Sequence, residues 1–270
     1  MSNGIVIVAF DTDKIAYTKI AEISGKLATQ ALDLPVTLIT NVNVTSPVFD
    51  QIIVVGDIPG SPRTFLSGDS QVTINWKNQT RPDVYELSPY DTTLLIDADY
   101  FILSDNLLHL FNTNLDFAVY TNAIDIGGQT NLTGVRLNPI STPMVWATVV
   151  FFKKSTFSKS IFDMMRLVRD NYHYYSLLYN FDESRYRNDY ALSISLHALA
   201  GYGSGVELSS IPGKLLTLTT NVISINENDI IFKTTTGTSK ISNSDIHIMD
   251  KFLLQDDSFL TGLEQLAKIR

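Results

Sequence analysis

The sequence predicts an α/β fold with a central, mostly parallel sheet flanked by helices and followed by a β-rich C-terminal extension. Three consecutive segments carry this expectation. Residues 4–10, "GIVIVAF", form an unbroken apolar run that ends in "DTD". Residues 13–31 follow with apolar side chains at Ala16, Ile20, Ile23 and Leu27, the spacing of one helical stripe. Residues 35–40, "PVTLIT", are a second apolar run. A helix joining two short apolar strands is a βαβ unit. Such units build parallel sheets that are buried on both faces.

The later elements follow in order. "DQIIVVGD" (50–57) and "TTLLI" (92–96) supply a third and a fourth strand, and "LDFAVY" (115–120) and "MVWATVVFF" (144–152) two more. From Ser155 the pattern turns helical, with Phe157, Ile161, Met164, Met165 and Val168 on one face. "RNDYALSISLHALAGYG" is a further helix, with Asn188 or Asp189 as its N-cap and Gly201 closing it. Residues 214–248 change to short Thr/Ile-rich strands. "DDSFLTGLEQLAKIR" is an amphipathic helix with an acidic start and a basic end, as the helix dipole favours. No Gly/Ser/Pro linker divides the chain. Residues 1–270 therefore predict a single domain, with a ligand-binding half over 1–125 and a second half with the extension over 126–270.

The composition excludes several classes. Of 270 residues, 44% are hydrophobic and 18% charged, which supports a packed core and argues against disorder. No cysteine is present, so disulfides and thiolate metal sites are excluded. No apolar run is long enough to span a bilayer, and the N-terminus lacks the basic region of a signal peptide. A cytoplasmic location is the expectation. A net charge of −8 disfavours non-specific binding to a polyanion. Lys153, Lys154, Arg166, Arg169, Arg185 and Arg187 nevertheless cluster in one stretch. No G-x-G-x-x-G follows a strand and no G-x-S-x-G elbow occurs, which argues against a dinucleotide dehydrogenase and a serine hydrolase.

The chemistry concentrates in "TTLLIDADYFIL" (92–103). Leu94, Leu95 and Ile96 do not alternate with polar residues, so their strand is covered on both faces. In open α/β sheets, ligands bind outside the carboxyl ends of the strands. Asp97 and Asp99 stand at such an end. Residues two apart on an extended chain share a side, so both carboxylates can reach one object in the crevice. Two adjacent carboxylates repel, and a divalent cation removes that repulsion. Mg²⁺ and Mn²⁺ accept one or two carboxylates and complete their shell with substrate phosphates.

The succession of "IVIVAFDTDKIAY", "YELSPYDTTLLIDADYFILSDNL", "MVWATVVFFKKS" and "DIHIM" resembles the GT-A nucleotide-sugar glycosyltransferases, in particular the glycogenin-like and galactosyltransferase-like branch. It covers residues 4–250 in order, and "LLIDADYFI" is its specific part. The overall style also resembles phage-encoded glycosyltransferase-like proteins. The resemblance implies transfer of a sugar from a nucleotide-diphosphate sugar, with a UDP-sugar favoured, to a hydroxyl acceptor. It implies that Asp97 and Asp99 bind the metal, Mn²⁺ or Mg²⁺, with Asp97 also near the donor. His247 completes the site. The family's Gly-x-x-Lys after this histidine is absent, and Lys251, four residues on, stands in for its phosphate-binding lysine. Phe10, Asp11 and Tyr17 are implied to hold the base and ribose. Arg81, with Lys77 as runner-up, is implied to reach the donor sugar or diphosphate.

Asp189, at a helix start, is the candidate acid/base or acceptor contact. Among acceptors, a glycan, a lipid, a protein and a modified DNA base stay open. Hydroxymethylated cytosine in phage DNA is the acceptor that the second resemblance implies, with the basic stretch facing the duplex. The alternatives are a non-catalytic binding protein on the same fold and a sugar nucleotidyltransferase. The latter usually carries a Gly-rich basic loop where this chain has "AFDTDKIAY".

Overall fold

The computed structural model describes residues 2–56, 60–67, 70–77, 79–182, 185–202, 210–220, 222–226 and 229–269. In chain order the elements are β1 (Asn3–Ala9), α1 (Tyr17–Leu32), β2 (Val36–Thr40), β3 (Gln51–Val54), β4 (Ser61–Ser67) and β5 (Ser70–Trp76). Then come α2 (Val84–Leu87), β6 (Thr92–Asp97), β7 (Tyr100–Phe101), β8 (Phe117–Tyr120), β9 (Ala123–Asp125) and β10 (Trp146–Lys153). Three helices follow: α3 (Thr156–Asp170), α4 (Tyr172–Tyr179) and α5 (Asn188–Leu199). The last elements are β11 (Leu215–Leu218), β12 (Val222–Ile225), β13 (Asp229–Thr234), β14 (Gly237–Ser242), β15 (Ile246–Ile248) and α6 (Asp257–Ile269).

The six strands expected for the main sheet form one sheet in the order β3-β2-β1-β6-β10-β8. β1 pairs in parallel with β2 and with β6, and β2 with β3, while β10 runs antiparallel between β6 and β8. Successive residues feed opposite cores. Ile5, Ile7, Leu94 and Ile96 pack with Ile20, Ile23 and Leu27 of α1. Val6, Leu95 and Val150 pack with Ile161, Phe162 and Met165 of α3 and with Leu192 and Leu196 of α5. The continuous apolar runs thus reflect helices on both faces, as parallel strands require. β1 sends α1 to one side, whereas β6 joins β1 on its other edge. The crevice at the carboxyl ends of β1 and β6 is therefore the switch point where open α/β sheets take ligands.

The β-rich extension forms an antiparallel sheet, β12-β13-β14, and contributes two strands to a four-stranded sheet, β7-β15-β11-β9. The latter matters most. β15 runs antiparallel to β7 with His247 opposite Tyr100, which brings the C-terminal segment beside the end of β6.

Some elements differ from expectation. Helix α1 starts at Tyr17 rather than 13, because Thr12 Oγ1 accepts from the amides of Lys14 (3.2 Å) and Ile15 (3.0 Å) and turns the chain first. Residues Asn106–Asn112 form a 3₁₀ helix with Leu107 and Leu110 buried three residues apart, the repeat of that helix. The β4–β5 hairpin, β7, β9 and α4 have no counterpart in the sequence reading. Neither Asn188 nor Asp189 is the N-cap of α5. Arg187 occupies that position, with no side-chain cap. Gly201 does close α5, with a left-handed φ of 71°. Of the C-terminal helix, Arg270 lies outside the described residues. Among the described residues, no helix is long and apolar enough to cross a membrane.

Candidate active site

A cavity of about 190 Å³ opens at the carboxyl ends of β1 and β6. Val8 and Phe10 reach it from β1 and the residue after it. Asp97 ends β6, in register with Val8. β6 stops at Asp97 and the chain turns at Ala98 and Asp99, yet both aspartates still face one point. The donor atoms of Asp97, Asp99 and His247 all lie within 4.8 Å of one another.

Asp99 differs from the sequence reading, which had it exposed to the crevice. It is only 4% exposed. Its Oδ2 accepts from Lys251 Nζ, and its Oδ1 lies 3.3 Å from His247 Nε2. Against the penalty of burial, Lys251 and His247 hold the Asp99 carboxyl well below the usual carboxylate range. Asp97 shifts the other way. Burial raises it and the nearby Asp99 adds to the rise, while Arg81 opposes both. The Nδ1 of His247 is buried and has no hydrogen-bond partner among the described residues.

Arg81 enters from a 3₁₀ turn, Arg81–Asp83, that packs against α3. It is 3% exposed. Its Nη1 donates to Asp97 Oδ1, and its Nη2 donates to the carbonyls of Ala147 and Thr148, the second at 3.2 Å. Those carbonyls are available because the pairing of β10 with β8 shifts register between Trp146 and Val150. The same irregularity turns the Ala147 amide to Asp189, whose Oδ1 accepts it at 2.9 Å. Asp189 Oδ2 accepts from Arg187 Nη2 at 3.2 Å, and the Arg187 guanidinium stacks on Tyr190 at 4.7 Å. Asp189 therefore ties α5 to β10 at the cavity wall and does not cap its own helix.

Of the residues singled out from the sequence, Phe10, Tyr17, Lys77, Arg81, Asp97, Asp99, Asp189, His247 and Lys251 all line this cavity. Asp11 is not among its lining residues. Its carboxylate accepts from the amide (2.8 Å) and hydroxyl (2.9 Å) of Thr18 in the first turn of α1. An acid there stabilises a helix start, and this use takes both its oxygens.

Trp76 and Trp146 also line the cavity without having been singled out, as do Arg187, read from the sequence as part of the basic stretch, and Asn188, read as an N-cap candidate. One signal was present: the chain has two tryptophans, and both are here. Trp76 meets Tyr17 edge-on at 5.4 Å, and Lys251 Nζ lies 5.0 Å from the Trp76 ring.

Most of the basic stretch is engaged within the chain. Lys153 bonds the Thr113 carbonyl at 2.6 Å, and Lys154 bonds that of Tyr85. Arg166 pairs with Asp163 and Glu86, and Arg169 with Asp83 (2.8 Å) and Asp170 (2.9 Å). Those cations are therefore paired with the protein's own groups rather than free to face a polyanion. His109 bonds the Asn106 carbonyl and His197 the Tyr179 hydroxyl, both away from the cavity.

The chain is similar over almost its full length to a solved structure of the galactosyltransferase LgtC in complex with donor and acceptor sugar analogs. The match covers 98% of this chain and 94% of that one, with a TM-score of 0.51 and 12% identity. The fold is GT-A. The glycosyltransferase GlyE of Streptococcus pneumoniae TIGR4 matches 78% of this chain with a TM-score of 0.43 and 12% identity, and the matched part spans 45% of the GlyE chain. A putative glucose-1-phosphate thymidylyltransferase of Bacillus anthracis matches 77% of this chain and 86% of its own, with a TM-score of 0.42 and 11% identity. No family model and no curated protein matches the sequence.

Proposed function

We propose that this GT-A chain is a metal-dependent glycosyltransferase that takes a sugar from a nucleoside-diphosphate sugar, with a UDP-sugar first in line, and gives it to a hydroxyl acceptor. We take residues 1–270 as one working unit, because the cavity draws on residues from Val8 to Lys251. The observation that carries the reading is the meeting of Asp97, Asp99 and His247 within 4.8 Å, at the carboxyl end of a central parallel strand.

The residues fit a divalent cation. Two carboxylates and an imidazole suit Mn²⁺ or Mg²⁺. Burial, with the neighbouring Asp99 adding to it, raises Asp97, and the buried His247 Nδ1 lacks a partner among the described residues. When bound, such a cation supplies positive charge to the diphosphate leaving group.

The chain's own residues do the rest. Arg81 and Lys251 bring positive charge into a largely buried site, where it acts strongly on a diphosphate. Lys77 lines the same cavity. Phe10, Tyr17 and Trp76 offer aromatic walls for a nucleoside. Asp189, held in place by Ala147 and Arg187, keeps lone pairs for a sugar hydroxyl. The cavity is smaller than the roughly 300–1,000 Å³ of most small-molecule pockets. A duplex DNA acceptor draws no support from the charge distribution. Net charge is −8, and most of the basic stretch is paired internally.

The test is a donor screen. Sugar nucleotides with UDP, GDP, CMP, ADP and dTDP carriers are incubated with the protein and Mn²⁺, and release of the nucleotide is followed by mass spectrometry. Calorimetry with the free nucleotides runs beside it. Hydrolysis of one donor, abolished by chelation, is expected. Absence of both turnover and nucleotide binding across the panel would sink the reading.

A further inference from the structure

We propose that Lys251 makes divalent-cation binding conditional on a diphosphate. The ammonium and the cation are rivals for Asp99, and a diphosphate ends the rivalry by drawing the ammonium away. The inference rests on the donor reading above.

The geometry behind it is local. Lys251 is 7% exposed. Its Nζ bonds Asp99 Oδ2 and lies over the Trp76 and Tyr17 rings at 5.0 and 6.0 Å. The other Asp99 oxygen lies 3.3 Å from His247 Nε2. Asp97 Oδ1 is likewise bonded, by Arg81. Both carboxylates that could hold a cation are thus already met by cationic or donor groups of the chain itself. A cation bound at the usual distance of about 2.0–2.1 Å to Asp99 would stand beside the Lys251 ammonium. Like charges that close, in a site with little water, repel strongly. Cation entry therefore requires Lys251 to leave.

Lys251 is able to leave, but it needs a destination. Its stem is long and flexible, unlike the planar fork of an arginine. A bare departure would take the ammonium from its only ion-pair partner among the described residues. A diphosphate in the same cavity offers a new one. The displaced ammonium then binds phosphate, and the freed carboxylate oxygen binds the cation. Each ligand raises the affinity of the other, and by linkage the two factors are equal. Arg81 differs in kind. It is pinned by two backbone carbonyls as well as by Asp97, so it stays.

The experiment measures Mn²⁺ binding to the full chain by electron paramagnetic resonance, alone and with saturating UDP. The Mn²⁺–UDP complex formed in buffer is subtracted. GDP, ADP, CDP and dTDP follow if UDP does not bind. Mn²⁺ should bind more tightly with nucleotide by about 5- to 150-fold, the usual range of coupling between sites. Nucleotide affinity should rise by the same factor with Mn²⁺. Lys251→Met should tighten Mn²⁺ binding in the absence of nucleotide, weaken nucleotide binding, and bring the coupling factor toward one. Lys251→Gln serves as a second variant, each checked for folding by circular dichroism, and the wild-type arm needs no variant. Asp99→Asn should abolish Mn²⁺ binding in both conditions.

Two outcomes overturn the proposal while leaving the donor reading intact. One is Mn²⁺ binding equally well with and without nucleotide. The other is nucleotide binding unchanged by chelation, which would mean that the ammonium replaces the cation outright. Failure of every nucleotide to bind, with or without Mn²⁺, removes the donor reading and the proposal together.

Discussion

Arg81 carries more structure than its sequence position announces. A guanidinium 3% exposed is expensive to bury unless its charge and its donors are met. Here Asp97 meets the charge and the Ala147 and Thr148 carbonyls take the second nitrogen. Nε has no partner among the described residues. Arg81→Met should therefore leave two carbonyls and a carboxylate short of a donor. Loss of about 1–3 kcal/mol of stability is expected, read from urea midpoints. Arg81→Lys should recover only part of it, since an ammonium cannot span the same fork. Arg81 and the Asp97/Asp99 pair were legible in the sequence, the pair because it breaks an apolar strand. The pairing of Asp99 with Lys251 was not. It depends on β15 lying against β7, which no local pattern encodes.

At the scale of elements, the decisive feature is the irregular stretch of β10 between Trp146 and Val150. A regular strand would give its backbone groups to β8. This one gives the Ala147 amide to Asp189 and the Ala147 carbonyl to Arg81. One peptide segment thus sets the distance between the two sides of the cavity. Asp189→Ala should strand the buried amide and release the start of α5. About 1–3 kcal/mol of stability should be lost, with faster hydrogen exchange at Ala147 as the specific readout. Unchanged exchange there would contradict the tie. "MVWATVVFF" reads as a strand from its apolar residues, and it is one. Its irregularity is invisible to that reading, because a lone Thr148 in an otherwise apolar run is ordinary strand composition. For the same reason nothing in the pattern marks Trp146 as a cavity residue, and Arg187 reads only as one more cation of the basic stretch. Their approach to the cavity comes from the irregularity of β10 and from the start of α5, whereas Asp97 follows from its place at the end of an apolar strand, and Phe10 and Tyr17 from the family resemblance.

For the molecule as a whole, buried tyrosines fix the alkaline limit of stability. Burial, with Tyr202 and Tyr175 adding to it, pushes the Tyr179 hydroxyl up to about 12 from an ordinary 10.0. A group whose value is raised by folding contributes stability that is fully present below its unfolded value. That contribution is lost as pH rises through the folded value. Stability should therefore decline from about pH 10 to about pH 12. Tyr179→Phe should flatten part of that decline, as followed by urea midpoints across the window, while also removing the bond to His197 at 2.8 Å. The βαβ half, with its helices on both faces, was legible from periodicity alone. The β-rich extension was legible as strands, but its division between two sheets was not, because β11 and β15 pair with segments over 90 residues away. That separation governs time as well as shape. The Asp99–Lys251 contact closes a span of 152 residues. Chains dominated by such distant contacts fold slowly, and β1, α1 and β2 can assemble long before Lys251 finds its partner. The cavity is expected to form after the folding transition state. A cation or nucleotide that recognises it should retard unfolding and leave the refolding rate unchanged, a pattern that stopped-flow chevrons with and without UDP and Mn²⁺ would display.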